Sequence, residues 1–268
     1  TVELALRYEH GDSNGDGPSS QNHGLYGRDT FDFAIDERGF YDLKWDQAMA
    51  ELNIDVDFGE GTITNLVAWR KSDASTNGDI DATPSFLFHA PASTQAEQFS
   101  NELRYSGRFD DKLDVTVGVF YFQQDLDYFE RRLIVGGAVD ISGGGRQEQT
   151  TKAVFGNFDL DLSDELTLIT GLRYTEEKKS ANIATLGLGL CNDTAMRCAG
   201  TGDFIDSANW SNLTPKLGVR WQADEDTQFY GFWTKGFRSG GYNLRNTSPT
   251  ATPGPFDEES TSVFEVGL

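Results

Sequence analysis

Three histidines, His10, His23 and His89, are the only imidazoles in 268 residues, and no two of them stand at the short spacing that zinc ligands on one element use. There is no Cys-x-x-Cys pair, no Gly-x-Ser-x-Gly elbow, no phosphate-binding glycine loop and no dinucleotide fingerprint. Among 43 Asp and Glu residues, chance pairs that mimic a glycosidase dyad are certain, so none of them marks a site. The chain is therefore read as carrying no catalytic machinery. Asp12-Ser13-Asn14-Gly15-Asp16-Gly17 has the opening of a calcium loop, with Asp12, Asn14 and Asp16 as its ligands. Where a bidentate Glu should close that cage stands His23, and a flexible Asx/Gly turn accounts for the same residues, so no metal or cofactor is expected. Cys191 and Cys198, the only cysteines, sit close together in a polar stretch. They suggest a small disulfide made in an oxidising compartment, with two free thiols as the alternative.

Composition narrows the partners. With 22 Lys and Arg against 43 Asp and Glu, the net charge is −21, which argues against nucleic acid, since phosphate binding needs an excess of cations. A content of 19 Phe, 9 Tyr and 5 Trp is too aromatic for a disordered acidic chain. No apolar run exceeds four residues, against the roughly 20 that a membrane helix needs. A β-barrel is compatible with that pattern, because its apolar residues occupy alternate positions. The first 20 residues show no signal peptide, and Val2, Leu4, Leu6 and Tyr8 already alternate with polar residues, so the chain is expected to be a piece of a longer protein.

The elements that must carry any site are strands. A period of two runs through 48–58, 113–121 and 166–174, and further strands are expected at 61–70, 97–107, 151–162, 210–222, 227–236 and 261–268. With the first strand that makes about ten, and no stretch keeps a helical period, so the class is all-β. Tight acidic connections at 59–61, 110–112, 163–165 and 223–226 alternate with long polar segments near 11–46, 71–96, 124–149, 178–209 and 243–259. In an up-and-down antiparallel sheet, this alternation puts all tight turns on one rim and all long loops on the other, the plan of a transmembrane barrel wall with short periplasmic turns and long extracellular loops. A secreted β-sandwich or propeller is the competing architecture. Charge is costly in lipid, so the apolar faces should point outward and the Asp, Glu, Arg and Asn faces inward. Tyr8, Trp45, Trp69, Tyr105, Tyr121, Tyr174, Trp210 and Trp221 are candidates for the interfacial girdles, with ordinary packing as the other possibility.

From Lys235-Gly236-Phe237-Arg238 through Gly240-Gly241 to Asn243, the chain closely resembles the barrel of TonB-dependent outer-membrane receptors of the siderophore-receptor kind. Asn101-Glu102-Leu103-Arg104, the stretch from Gly171 to Lys178, Leu213-Thr214-Pro215-Lys216-Leu217-Gly218 and Glu265-Val266-Gly267-Leu268 are similar to it in the same order. The resemblance implies that residues 1–268 are part of a wall of about 22 strands, with the N-terminal plug, the segment that engages TonB and the terminal strands absent from this chain. It further implies a monomer in the bacterial outer membrane, surrounded by lipid and lipopolysaccharide. Its activity would be uptake of a scarce large solute, a ferric siderophore first and otherwise a cobalamin-like corrinoid or an oligosaccharide, driven by the TonB complex through the plug. A passive porin-like channel and a secreted β-domain that binds carbohydrate are the alternatives.

Cargo contacts are expected on the long-loop rim, where loops on a rigid wall carry recognition. The candidates are Tyr26, Arg28, Phe31, Phe33 and Arg38 in the first loop, Phe86, Phe88 and His89 in the second, Tyr128, Phe129, Arg131 and Arg132 in the third, and Arg238 beside the glycine pair. Aromatic faces and guanidinium groups suit an anionic, partly aromatic ligand such as a ferric catecholate, and they suit sugar stacking equally well. Loop packing is the competing role for each, and Arg238 is equally placed to bond neighbouring carboxylates in the lumen. The acidic excess is read as solvated turns, loops and wet interior, with cation bridging of lipopolysaccharide or selection of cationic cargo as the sharper possibilities.

Overall fold

A computed structural model describes residues 1–18, 20–187, 204–245 and 250–268. Its strands are β1 (Val2–Gly15), β2 (Phe40–Val56), β3 (Gly61–Asn77), β4 (Phe88–His89), β5 (Ala92–Phe109), β6 (Leu113–Ile134), β7 (Val139–Asp161), β8 (Leu166–Gly187), β9 (Phe204–Gln222), β10 (Gln228–Arg238) and β11 (Glu259–Gly267). All belong to one antiparallel sheet in which consecutive strands are neighbours, except that the two-residue β4 continues the edge of β6 beyond the start of β5. The sheet is open, with β1 and β11 each hydrogen-bonded to a single neighbour.

Alternation decides the two faces. Leu4, Leu52, Asn65, Leu103, Val119, Val154, Tyr174 and Leu213 are successive cross-strand partners from β1 to β9. Two residues toward the tight turns runs a second row, Val2, Ile54, Ile63, Tyr105, Val117, Gly156, Leu172 and Pro215. Together they make a largely apolar belt on which Leu4, Leu103, Val119, Val154, Leu172 and Leu213 stay exposed, as on a lipid-facing surface. The opposite face is polar: Thr64 donates to Asn53 at 2.7 Å, and Arg108 holds Asp114 and Asp161 near the turns. It is not purely polar, because Arg173 lies over the rings of Phe120 and Phe155, at 5.4 and 5.6 Å from their centroids.

The tight turns fall where the acidic pairs stand. Asp110 and Asp111 both take left-handed backbone angles, with φ of 50° and 55°, and Lys112 N–H closes the turn on Phe109 O at 3.0 Å. That is the type I′ geometry a two-strand reversal prefers, and aspartate tolerates it better than most residues. Phe58–Glu60 forms a short 3-10 turn, and the Tyr105 hydroxyl donates to Phe58 O at 2.6 Å.

Two expectations are corrected. The segments near 124–149 and 178–209 are not structureless loops: β6 and β7 stay paired up to Ile134 and Val139, and β8 runs to Gly187 before β9 resumes at Phe204. Strands of 22 and 23 residues are about twice what crosses a bilayer, so their far halves stand above it. Neither face of such an extension meets lipid, and the apolar alternation that reveals a strand disappears. Among the girdle candidates, Trp45 and Trp210 lie on the polar face instead, Trp45 under Arg70 at 5.5 Å and Trp210 under Lys179 at 5.5 Å. Tyr8, Tyr174 and Trp221 do lie exposed on the belt side. Cys191 and Cys198 lie outside the described residues.

Candidate ligand-recognition rim

Where β6 to β9 rise past the belt, the polar face gathers a set of charged groups around one carboxylate. Glu130 on β6 is 2% exposed. Tyr128 donates its hydroxyl to Glu130 Oε2 at 2.7 Å, and Arg132 donates Nε to Oε1 at 2.6 Å. Arg245, which is 115 positions away, adds a fork: Nε to Oε2 and Nη2 to Oε1 at 3.2 Å. Burial alone would raise the Glu130 carboxyl, but the bonds from Arg245, Tyr128 and Arg132 outweigh it and hold the group below the ordinary glutamate range. Burial and the bond to Glu130 push the Tyr128 hydroxyl upward in turn. Beside this node β7 carries a bulge between Ser142 and Gly144. Gly144 adopts φ of +139°, and a Cβ there would stand 2.1 Å from Tyr128 O, so both the angle and the space require glycine.

Arg245 arrives on the connection from β10 to β11, whose described parts, 239–245 and 250–258, form a strap against the polar face. Lys179 on β8 donates to Ser239 Oγ at 2.9 Å and to Gly240 O at 2.8 Å, while Ser239 and Lys179 both engage Glu177. Tyr242, 7% exposed, packs on Ala181 and Ile183 with Phe204, Ala208, Trp210 and Leu244 around them. Its hydroxyl donates to Asp206 Oδ2 at 3.0 Å, and burial together with that bond pushes it up to about 12. A Cβ on Gly240 would meet Phe256 O at 2.1 Å, so the strap approaches itself as closely as glycine allows. Gly241 and Phe256 hydrogen-bond to each other in both directions, which closes the strap at its base.

A second cluster joins the first two long loops. Asp79 is 1% exposed and accepts N–H bonds from Asp36 at 3.0 Å and from Ala82 at 2.7 Å. His89, 7% exposed, places Nε2 at 3.1 Å from Asp36 Oδ1. Phe86 stacks on the imidazole with centroids 4.0 Å apart and planes 14° from parallel. Burial pushes the Asp79 carboxyl up, Asp36 and Asp81 act in the same sense, and the two N–H bonds oppose them. Asn22 of the first loop also donates to Asp81 O of the second at 3.2 Å.

The expected contact residues are sorted by this geometry. Tyr128 and Arg132 converge on Glu130, and Phe86 and His89 converge on each other. Tyr128, Phe129, Arg131 and Arg132 belong to strand β6 rather than to a loop, which corrects their placement. Phe129 is 1% exposed and packs inside the protein. Arg131 forms a fork with Asp140, at 2.8 and 2.6 Å, and Arg38 forms another with Asp16, at 2.7 and 3.1 Å. Arg238 faces its cross-strand partner Glu259 at 3.7 Å. Tyr26, Arg28 and Phe31 remain in the first loop, with Phe31 fully exposed. Asp12 and Asn14 stand in the extended ladder of β1 opposite Lys44 and Asp42, and Asp16 is taken by Arg38, so these three do not converge as a calcium loop would require. Sequence reading missed Glu130, Arg245, Lys179, Glu177, Tyr242, Asp36 and Asp79. A buried glutamate flanked by a tyrosine and an arginine two positions to either side, on one face of a strand, was the one signal available for the first of them.

Residues 2–268 match the family model described as TonB dependent receptor-like, beta-barrel. Among solved structures, the ferric yersiniabactin uptake receptor FyuA from Yersinia pestis superposes with a TM-score of 0.79 at 15% identity, over 99% of this chain and 39% of that one. The siderophore receptor PiuA from Acinetobacter baumannii gives 0.73 at 17% identity, over 99% and 44%, and the ferric-catecholate import receptor Fiu from E. coli K12 gives 0.65 at 15%, over 99% and 46%. The chain thus spans less than half the length of these structures. No curated protein sequence matches it.

Proposed function

Because the chain belongs to the TonB-dependent receptor β-barrel family and is a wall segment of an outer-membrane receptor, we propose that the protein takes up a scarce large solute, a ferric siderophore, with energy delivered by the TonB complex. What best supports this reading is the strap, whose residues 239–245 are fixed over the polar face by Arg245 on Glu130 and by Lys179. It keeps polar and aromatic groups at the mouth of the wall in one arrangement, which is what selective capture requires and free diffusion does not. Similarity to proteins named for ferric yersiniabactin, siderophore and ferric-catecholate uptake favours iron-laden cargo. No bond of such a cargo needs to be broken, so the protein acts without catalytic residues.

The 268 residues would form one part of the wall. The two sheet edges would be satisfied by further strands, since an open edge cannot persist in lipid. A plug in the lumen would make the connection to TonB, the closed wall would be a monomer among lipid and lipopolysaccharide, and Cys191 and Cys198 would form a disulfide in a long loop. The test is uptake of radiolabelled iron presented on a panel of siderophores, by cells with and without the gene, under iron limitation. Loss of uptake on deleting either the gene or TonB supports the reading. Uptake that persists without TonB points to a diffusion channel, and no change on deleting the gene rejects transport of these cargoes.

A further inference from the structure

We propose that Asp36, Asp79 and His89 bind a zinc ion that fastens the first long loop of the rim to the second. One ligand atom from each residue, His89 Nε2 and a carboxylate oxygen from Asp36 and from Asp79, lies within 4.8 Å of the other two. Donors around a tetrahedral zinc stand roughly 3.3–3.6 Å apart, so closing the set asks for shifts of about 1 Å, most of them in the side chain of Asp36, which lies at the surface.

Three observations point to a cation. Asp36 and Asp79 turn carboxylates toward one another beside a nearly buried imidazole, and among the described residues no Lys or Arg pairs with either of them. Two facing carboxylates in such a place need a proton, an imidazolium or a metal ion to coexist. The donors are also held in position by their own supports, as in built metal sites. Asp79 is fixed by the N–H groups of Asp36 and Ala82, and His89 by the stacked ring of Phe86 and by backbone pairing of β4 with β6. Each Asp79 oxygen accepts one backbone bond and keeps a lone pair for a metal.

The donor set selects the metal. One imidazole and two carboxylates suit a borderline cation such as Zn²⁺, whereas Ca²⁺ and Mg²⁺ take oxygen-only sets with more ligands. Three protein ligands leave a fourth position for water or for an oxygen of an arriving ligand. The site would therefore tie residue 36 of one loop to residues 79 and 89 of the next at the mouth of the wall, whatever cargo the protein carries.

The experiment uses the intact protein in detergent, dialysed against buffered zinc and assayed for bound metal. It compares the native protein with His89→Gln, Asp36→Asn and the control His10→Gln. The expected result is one tightly held zinc per chain in the native protein and the control, with affinity at least about tenfold weaker in the other two. Zinc should also slow hydrogen exchange in 78–91 of the native protein and the control, and leave it unchanged in the other two. Heat-modifiable migration reports that each variant keeps its barrel. If His89→Gln loses the barrel, Asp36→Asn decides, because it alters a surface side chain and leaves the Asp36 N–H bond to Asp79 in place. No zinc in the native protein, or equal affinity in variants that keep the barrel, overturns the proposal.

Discussion

Belt side chains such as Val119, Val154 and Leu213 are 51%, 54% and 50% exposed, whereas Phe129, Ile183, Glu130 and Asp79, the largest fully buried side chains among the described residues, all lie on the long-loop side of the belt. The wall and the rim are thus stabilised in different ways. In the wall, an uninterrupted ladder satisfies the backbone, and the apolar face is left for lipid to cover, so nearly any apolar residue serves. At the rim, strands have no lipid to cover them, and what gives them a fixed partner is a small set of buried groups and one strap. Tolerance belongs to the first region and specificity to the second, which is why recognition is sought in the rim.

The largest effect should follow from breaking the buried node. Glu130→Ala removes four charge-assisted bonds at once, and because the largely exposed Arg245 regains water the cost to the rim is about 3–4 kcal/mol. The strap should then open while the barrel persists. Hydrogen exchange across 239–258 should accelerate toward that of a free loop, with heat-modifiable migration unchanged. If the whole barrel is lost instead, the rim is not a separate unit and the contrast with the wall fails.

The converse substitution belongs in the belt. Val119→Arg puts a charge in the central apolar row, between Leu103 and Val154, for about 2–4 kcal/mol at the bilayer midplane. Here the barrel should suffer and the strap should not: less protein assembled in the outer membrane, with normal exchange in 239–258 of the fraction that does assemble. An Arg at Val119 that costs nothing would mean that this row does not face lipid.

How far each region could be read from sequence follows the same division. The wall was legible because one-sided burial writes a period of two, as in Leu113, Val115, Val117 and Val119, and because Asp110-Asp111 suits a left-handed turn. From Gln123 to Asp127 the strand continues past the apolar belt, and its polar composition reads as loop. The rim clusters were illegible for another reason: Arg245 meets Glu130 across 115 positions and His89 meets Asp36 across 53, through segments that obey no period. Candidate residues were found by type alone, and type does not reveal that Arg38 and Arg131 are already engaged by Asp16 and Asp140.

Acid offers a milder way to loosen the same node. The Glu130 carboxyl is held below its ordinary value, so its contribution to the rim is fully present above about pH 4.3 and fades as pH falls through the lower folded value. Exchange in the strap should therefore quicken only in acid below that point, and Glu130→Gln should be fast at neutral pH and flat across the range. A native strap that loosens between pH 5 and 7 would place the controlling group elsewhere.

The smallest effect tests whether the strap depends on packing or on polarity. Tyr242→Phe keeps the ring against Ile183, Ala181 and Phe204 and removes only the bond to Asp206. Since Asp206 retains access to water, the loss should be about 1–2 kcal/mol, the range for a hydrogen bond to a charged group that is partly replaced by solvent. Strap exchange should rise by roughly 5- to 30-fold, well short of Glu130→Ala. If Tyr242→Phe matches Glu130→Ala, the hydroxyl and the node act as one network, and the strap is held cooperatively from both ends. If it changes nothing, the apolar cluster alone seats that end, and the charged node is the single polar lock on the rim.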